Sequence, residues 1–123
     1  MRLRAAIVAS ILMAASQSAF GAFFFGAGSI RCGEWTRVRA VSESGPLKDV
    51  GARHQLEAWI DGYISGVNVR SVELSSQPDF LASQPQSSAL YAVVDNYCKA
   101  SPLDPIVDAT MALVRELRMR ARR

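Results

Sequence analysis

Hydrolysis by a Ser-His-Asp or Cys-His arrangement needs a base beside its nucleophile, and this chain has a single histidine, His54. His54 lies beside Arg53 with Glu57 three residues on, at the polar start of an apolar-striped segment, which is the setting of a solvated side chain. Two carboxylates four apart, Asp104 and Asp108, have the spacing for acid–base work. Their place around Pro105 suits a helix start better: Asp104 would cap free amides, and Asp108 would meet the positive end of the helix dipole. No Gly-rich phosphate loop, no CxxC and no metal-ligand cluster occurs in the sequence. These residue types point to a non-enzymatic chain without metal or cofactor; a small hydrolase without a recognisable motif is the competing class.

The other reactive groups are Cys32 and Cys98, the only two cysteines. Their meaning depends on the compartment, and the N-terminus speaks to that. Met1-Arg2-Leu3-Arg4 is basic, and Ala5 to Ala15 carries no charge, the pattern of a secretory signal. The apolar run is too short for a membrane span, which needs roughly 20 residues. Ala19-Phe20-Gly21 places small residues where a signal peptidase requires them, so cleavage is expected after Gly21, with Ser16-Gln17-Ser18 as the second choice and an uncleaved anchor as the alternative. Residues 1–21 are therefore expected to be a signal peptide, and the mature chain to reside in the periplasm or outside the cell. In such a chain two cysteines read as one disulfide. On the chain-entropy model a bridge across this separation contributes roughly 4 kcal/mol.

Loss of Arg2 and Arg4 leaves 12 Lys and Arg residues against 11 Asp and Glu. Five of the twelve are Arg115, Arg118, Arg120, Arg122 and Arg123. The basicity of the whole chain belongs to its two ends, which argues against nucleic acid as a partner.

Periodicity assigns the elements that position these groups. Residues 22–31 form an apolar, Gly-rich lead, expected as an extended arm. Trp35, Val38 and Val41 mark a short first helix from Cys32 to Val41, and Ser42 to Gly51 collects loop residues. From Arg53 to Val72, Leu56, Trp59, Ile60, Tyr63, Ile64 and Val67 form one stripe. Gly62 and Gly66 share a face of that helix and are expected at a close contact with a neighbouring helix. Glu73 to Gln86 is expected as a loop pinned by Phe80-Leu81. A third helix, capped by Ser87 or Ser88, presents Leu90, Val93, Val94 and Tyr97 and ends before Pro102. A fourth, starting at Asp104-Pro105, presents Ile106, Ala109, Thr110, Leu113, Val114 and Leu117 and runs to about Met119. The expected fold is all-α: a small four-helix orthogonal bundle over residues 32–119, closed by Cys32–Cys98, with a basic tail at 120–123.

Trp35, Trp59 and Tyr63 could form an aromatic recognition platform, but at helical spacing within apolar stripes they read first as core. Asn68, polar on an apolar-lined helix, can bond a neighbouring helix or a partner, and Asp95-Asn96 is placed alike before Tyr97-Cys98.

The ordered set Cys32-Gly33-Glu34-Trp35, Trp59-Ile60-Asp61-Gly62-Tyr63-Ile64-Ser65-Gly66-Val67-Asn68, Asp95-Asn96-Tyr97-Cys98 and Ser101-Pro102-Leu103 resembles two groups of small exported bacterial proteins. These are the HdeA-like periplasmic helical proteins and the Tai-type immunity proteins that neutralise type VI secretion amidases. The resemblance covers most of residues 32–118 and implies a domain that acts by binding another protein. The partner would be a secreted effector on the immunity reading, or an unfolded client on the acid-stress chaperone reading. A second copy of the chain is a further candidate partner. The glycine pair and the long Ser/Gln/Pro loop depart from the acid chaperones, the single pair of cysteines from many immunity proteins, and no effector-contact motif of the immunity group matches a position here.

Overall fold

The computed structural model describes residues 26–123; the expected signal peptide and residues 22–25 lie outside the described residues. Four helices follow in order: α1 (Cys32–Arg39), α2 (Leu47–Ser75), α3 (Ser87–Ala100) and α4 (Ile106–Ala121). A short 3-10 turn, Gly26–Ser29, precedes them. The described chain is all-helical and its two cysteines are joined, Cys32 to Cys98, at the start of α1 and near the end of α3.

The core forms where the stripes meet. Trp35 and Val38 of α1, Leu56, Ile60 and Ile64 of α2, Leu90 and Val94 of α3, and Ile106, Leu113 and Leu117 of α4 are all buried. Phe80 joins them from the α2–α3 loop. Removing each such side chain from water is worth about 1.5–3 kcal/mol before the entropy of ordering it is counted.

Several local expectations are corrected. Residues 26–31 do not form an extended arm: Ala27 and Gly28 are buried, and the 3-10 turn lies against α2 and α4. Arg31 pairs with Pro105 in an isolated antiparallel bridge. The loop after α1 is shorter than expected, because α2 begins at Leu47, directly after Pro46. Proline is tolerated there, where the first amides have no helical partner. Asp49 in the first turn suits the positive end of the helix and reaches Arg37 at 3.0 Å. Neither serine caps α3 and Asp104 does not cap α4; the residues preceding these helices are Gln86 and Pro105, and neither makes a side-chain cap bond. The Asp104 carboxylate instead accepts a 2.8 Å hydrogen bond from the Tyr97 hydroxyl. The helix of α4 continues to Ala121, so the basic end is largely helical.

One end of the bundle is stitched by backbone. The amides of Cys32 and Gly33 donate to the carbonyls of Asp104 and Pro102 at 2.8 and 2.9 Å, and Ile106 donates to Ile30 at 2.8 Å. Together with the disulfide these bonds fix the start of α1 to the α3–α4 turn.

Candidate functional site

Trp35 is fully buried, and its indole Nε1 donates to Asp95 Oδ1 at 2.7 Å. The Tyr91 ring stands edge-on to it at 5.9 Å. The Arg39 guanidinium lies over both rings, 5.3 and 5.4 Å from their centroids. Arg39 also reaches Asp95 at 3.2 Å and Glu57 at 2.9 Å. Burial opposes its charge, but the hydrogen bonds and charges of Asp95 and Glu57 outweigh that, and the Arg39 pKa is raised. Arg53, a buried residue of α2, extends the seam by donating to the Val41 carbonyl and to Glu43. These groups lock α1, α2 and α3 together, so Trp35 and Asp95 are structural. Asn96, beside them in sequence, is exposed.

The Tyr91 hydroxyl donates to Asp61 Oδ2 at 2.8 Å, while Asp61 Oδ1 is buried without a hydrogen-bond partner among the described residues. Burial first, then the bond to Asp61 and the charges of Asp61 and Glu57, push the Tyr91 phenol well above its ordinary pKa, partly offset by Ser87. Tyr97 is raised as well, chiefly by its bond to Asp104 and secondarily by burial.

Asn68 faces inward. Its Nδ2 donates to Asp79 Oδ1 at 2.8 Å and its Oδ1 accepts from the Phe80 amide at 3.1 Å. One side chain thereby holds the α2–α3 loop so that Phe80 stays in the core. Pro102 is exposed and contributes its carbonyl to the Gly33 amide.

The glycine pair contradicts its expected role. A Cβ built on Gly62 or on Gly66 meets nothing within 4 Å. Both lie on the outward face of α2, because the helix buries Leu56, Ile60, Ile64, Asn68 and Ser71, and the glycines fall on the far side of that stripe. The close approach occurs elsewhere. A Cβ on Gly28 would come within 2.3 Å of the Trp59 ring, so the 3-10 turn rests on this indole at a distance only glycine allows. Trp59 is half-buried and stacks on Tyr63 with ring centroids 5.3 Å apart.

His54 is exposed, with Glu43 and Arg53 as its polar neighbours at 3.4 Å. Among the described residues no group of three or more His, Cys, Asp or Glu could hold a metal ion, and no helix is long and apolar enough to cross a membrane.

The expected residues therefore separate into two sets. Trp35, Asn68, Asp95, Pro102 and the disulfide hold the bundle together. Trp59 and Tyr63 form a half-buried flank of α2, and Gly62 and Gly66 lie next to them on its solvent side. There Ala58, Gly62, Gly66 and Val69 form an exposed strip of short side chains, about 16 Å long at the helical rise of 1.5 Å per residue. Beside it an apolar groove of about 270 Å³ lies between α2 and α4, lined by Tyr63, Val67, Met111 and Val114 with Arg115 and Arg118 at its rim. Arg39 and Tyr91, central to the polar seam, were not singled out from sequence; an arginine two residues before the predicted end of α1 carries no periodic signal. No protein-family model, curated protein or solved structure matches this chain.

Proposed function

We propose that this chain is an exported, non-enzymatic domain that binds another protein through the outward face of α2, in the manner of an immunity protein that neutralises a secreted effector. One observation carries the reading: Gly62 and Gly66 each cost α2 roughly 1 kcal/mol of helix propensity, yet open space surrounds both. No contact among the described residues offsets that cost. A glycine strip on an exposed helix lets the backbone of a partner approach closely, and the stacked Trp59–Tyr63 pair beside it offers the aromatic area that dominates binding hot spots. The Cys32–Cys98 bond suits an oxidising compartment.

The test pairs binding with folding. Gly62→Trp and Gly66→Trp should leave the melting temperature within a few degrees of the parent, because their side chains enter solvent. The same variants should abolish complex formation, measured by titration calorimetry, with the secreted effector encoded beside the gene. Unchanged binding by both variants, or a neighbourhood without a secreted effector, overturns the reading. Suppressed aggregation of acid-denatured client protein below pH 4 would favour the chaperone role instead.

A further inference from the structure

The arginines of α4 outnumber those the fold uses. Residues 109–123 hold five arginines and one acid, Glu116. Arg118 donates to Ser71 Oγ at 2.7 Å and lies over the Phe80 ring, and Arg120 pairs with Glu116. Both stand in the last turn, where cations answer the negative end of the helix dipole. Arg115, Arg122 and Arg123 are exposed and form no salt bridge among the described residues. We propose that this end of the domain rests on an anionic phospholipid bilayer, with Arg115, Arg122 and Arg123 meeting lipid phosphates and Met119 entering between the headgroups. That surface is separate from the outward strip of α2 used by the partner reading above.

Helical geometry gathers these groups on one face. Arg115, Met119, Arg122 and Arg123 fall within an arc of about 100° around α4, turned away from the buried Leu113 and Leu117. Met119 is 59% exposed at the centre of that arc, with cations on both sides. The neighbouring helix adds to the same end. The bond from Arg118 to Ser71, and the shallow cleft that Gln77 and Pro78 share with Arg118, Ala121 and Arg122, set the ends of α2 and α4 side by side. There Leu74, in the last turn of α2, is 69% exposed.

Charge complementarity selects the occupant. Residues 26–114 hold ten Asp and Glu against seven Lys and Arg, so a negative surface attracts the end of α4 more than the rest of the domain and orients it end-on. Each arginine brought to an anionic membrane surface gains roughly five-fold in partitioning. An acidic protein would answer the arginines alone. A bilayer also takes Met119 and Leu74, because apolar side chains set among cations match the boundary between headgroups and acyl chains. No described helix is long and apolar enough to cross a membrane, so the contact is peripheral.

The test is co-sedimentation of the disulfide-bonded protein, recovered after export, with vesicles of equal parts phosphatidylglycerol and phosphatidylcholine, and with vesicles of phosphatidylcholine alone. Binding is expected to the mixed vesicles only, and should fall steeply as salt rises, because exposed charges are screened. The triple variant Arg115→Gln, Arg122→Gln, Arg123→Gln should lose roughly a hundred-fold in partitioning. Its melting temperature should stay within a few degrees of the parent, since all three side chains are exposed. Met119→Ser should lose several-fold with the charge unchanged. Equal binding to the neutral vesicles, parental binding by the triple variant, or undiminished binding by Met119→Ser overturns the proposal. Tighter binding to polyglutamate in solution than to the mixed vesicles would overturn it too, assigning the arginines to an acidic protein.

Discussion

At the scale of single residues, the contacts that matter most are made by side chains whose roles depend on a neighbour far away in sequence. Gly28 shows this plainly. Any side chain there collides with the rigid indole of Trp59, 2.3 Å from a built Cβ. Gly28→Ala should therefore destabilise the domain by about 1–3 kcal/mol through overpacking, which thermal melting would record as a loss of roughly 5 °C or more. Unaltered melting would mean that the 3-10 turn moves away at no cost. Tyr91 gives a second prediction through its raised pKa. A phenol whose folded pKa exceeds its unfolded value of about 10 stabilises the fold fully below that pH, and the contribution is lost as pH rises above it. Tyr91→Phe should thus melt below the parent at pH 8, and the gap should close by roughly 1 kcal/mol per unit between pH 10 and 11. A gap independent of pH would show that the phenol stays protonated in neither state preferentially.

At the scale of elements, the open glycines of α2 yield a prediction opposite in sign to that for Gly28. Gly62→Ala and Gly66→Ala should each stabilise the domain by about 0.5–1 kcal/mol, because alanine lowers the entropy lost on helix formation and meets no neighbour. Urea denaturation would read this as a higher midpoint at unchanged slope, and a lower midpoint would reveal an unseen contact. The contrast explains how far the sequence was legible. Helical periodicity located four helices, and the α4 stripe of Ile106, Ala109, Thr110, Leu113, Val114 and Leu117 is buried as expected. It also located the center of α2, where Leu56, Ile60 and Ile64 are buried. Periodicity reports an angle around one helix, however, and not what stands opposite. Trp59, Tyr63 and Val67 proved to be the half-buried flank, and the polar flank was completed by Asn68. In α3 the buried line runs through Leu90, Tyr91, Val94 and Cys98 instead of including Val93 and Tyr97. Tyr91 could enter because Asp61 and Arg39, on two other helices, satisfy its hydroxyl and its ring face. Helix ends were least legible, since Pro46 and Gly51 look like loop residues yet lie at or inside the start of α2.

At the scale of the molecule, covalent and backbone links gather at one end of the bundle while side-chain polar contacts hold the other. The disulfide, the Arg31–Pro105 bridge and the amides of Cys32, Gly33 and Ile106 tie the first described residues to the α3–α4 turn. At the far end the α1–α2 connection rests on Arg53 bonded to Val41 and Glu43. This asymmetry separates two ways in which the disulfide could act. If it works by restricting the unfolded chain, the native contacts around it suffice to hold the same structure without it. A bridge between positions 66 apart should then contribute about 4 kcal/mol through chain entropy alone. The double variant Cys32→Ala, Cys98→Ala tests this by urea denaturation. Its midpoint should fall strongly, and its slope should rise, because an unbridged unfolded chain exposes more surface. Hydrogen exchange of the folded variant should remain ordered as in the parent at residues 30–36 and 102–106, where the backbone stitches persist. A loss under 1 kcal/mol at unchanged slope would refute the entropic account. Selective loss of protection at those same residues would show instead that the bond holds the native end in place, and that the stitches depend on it.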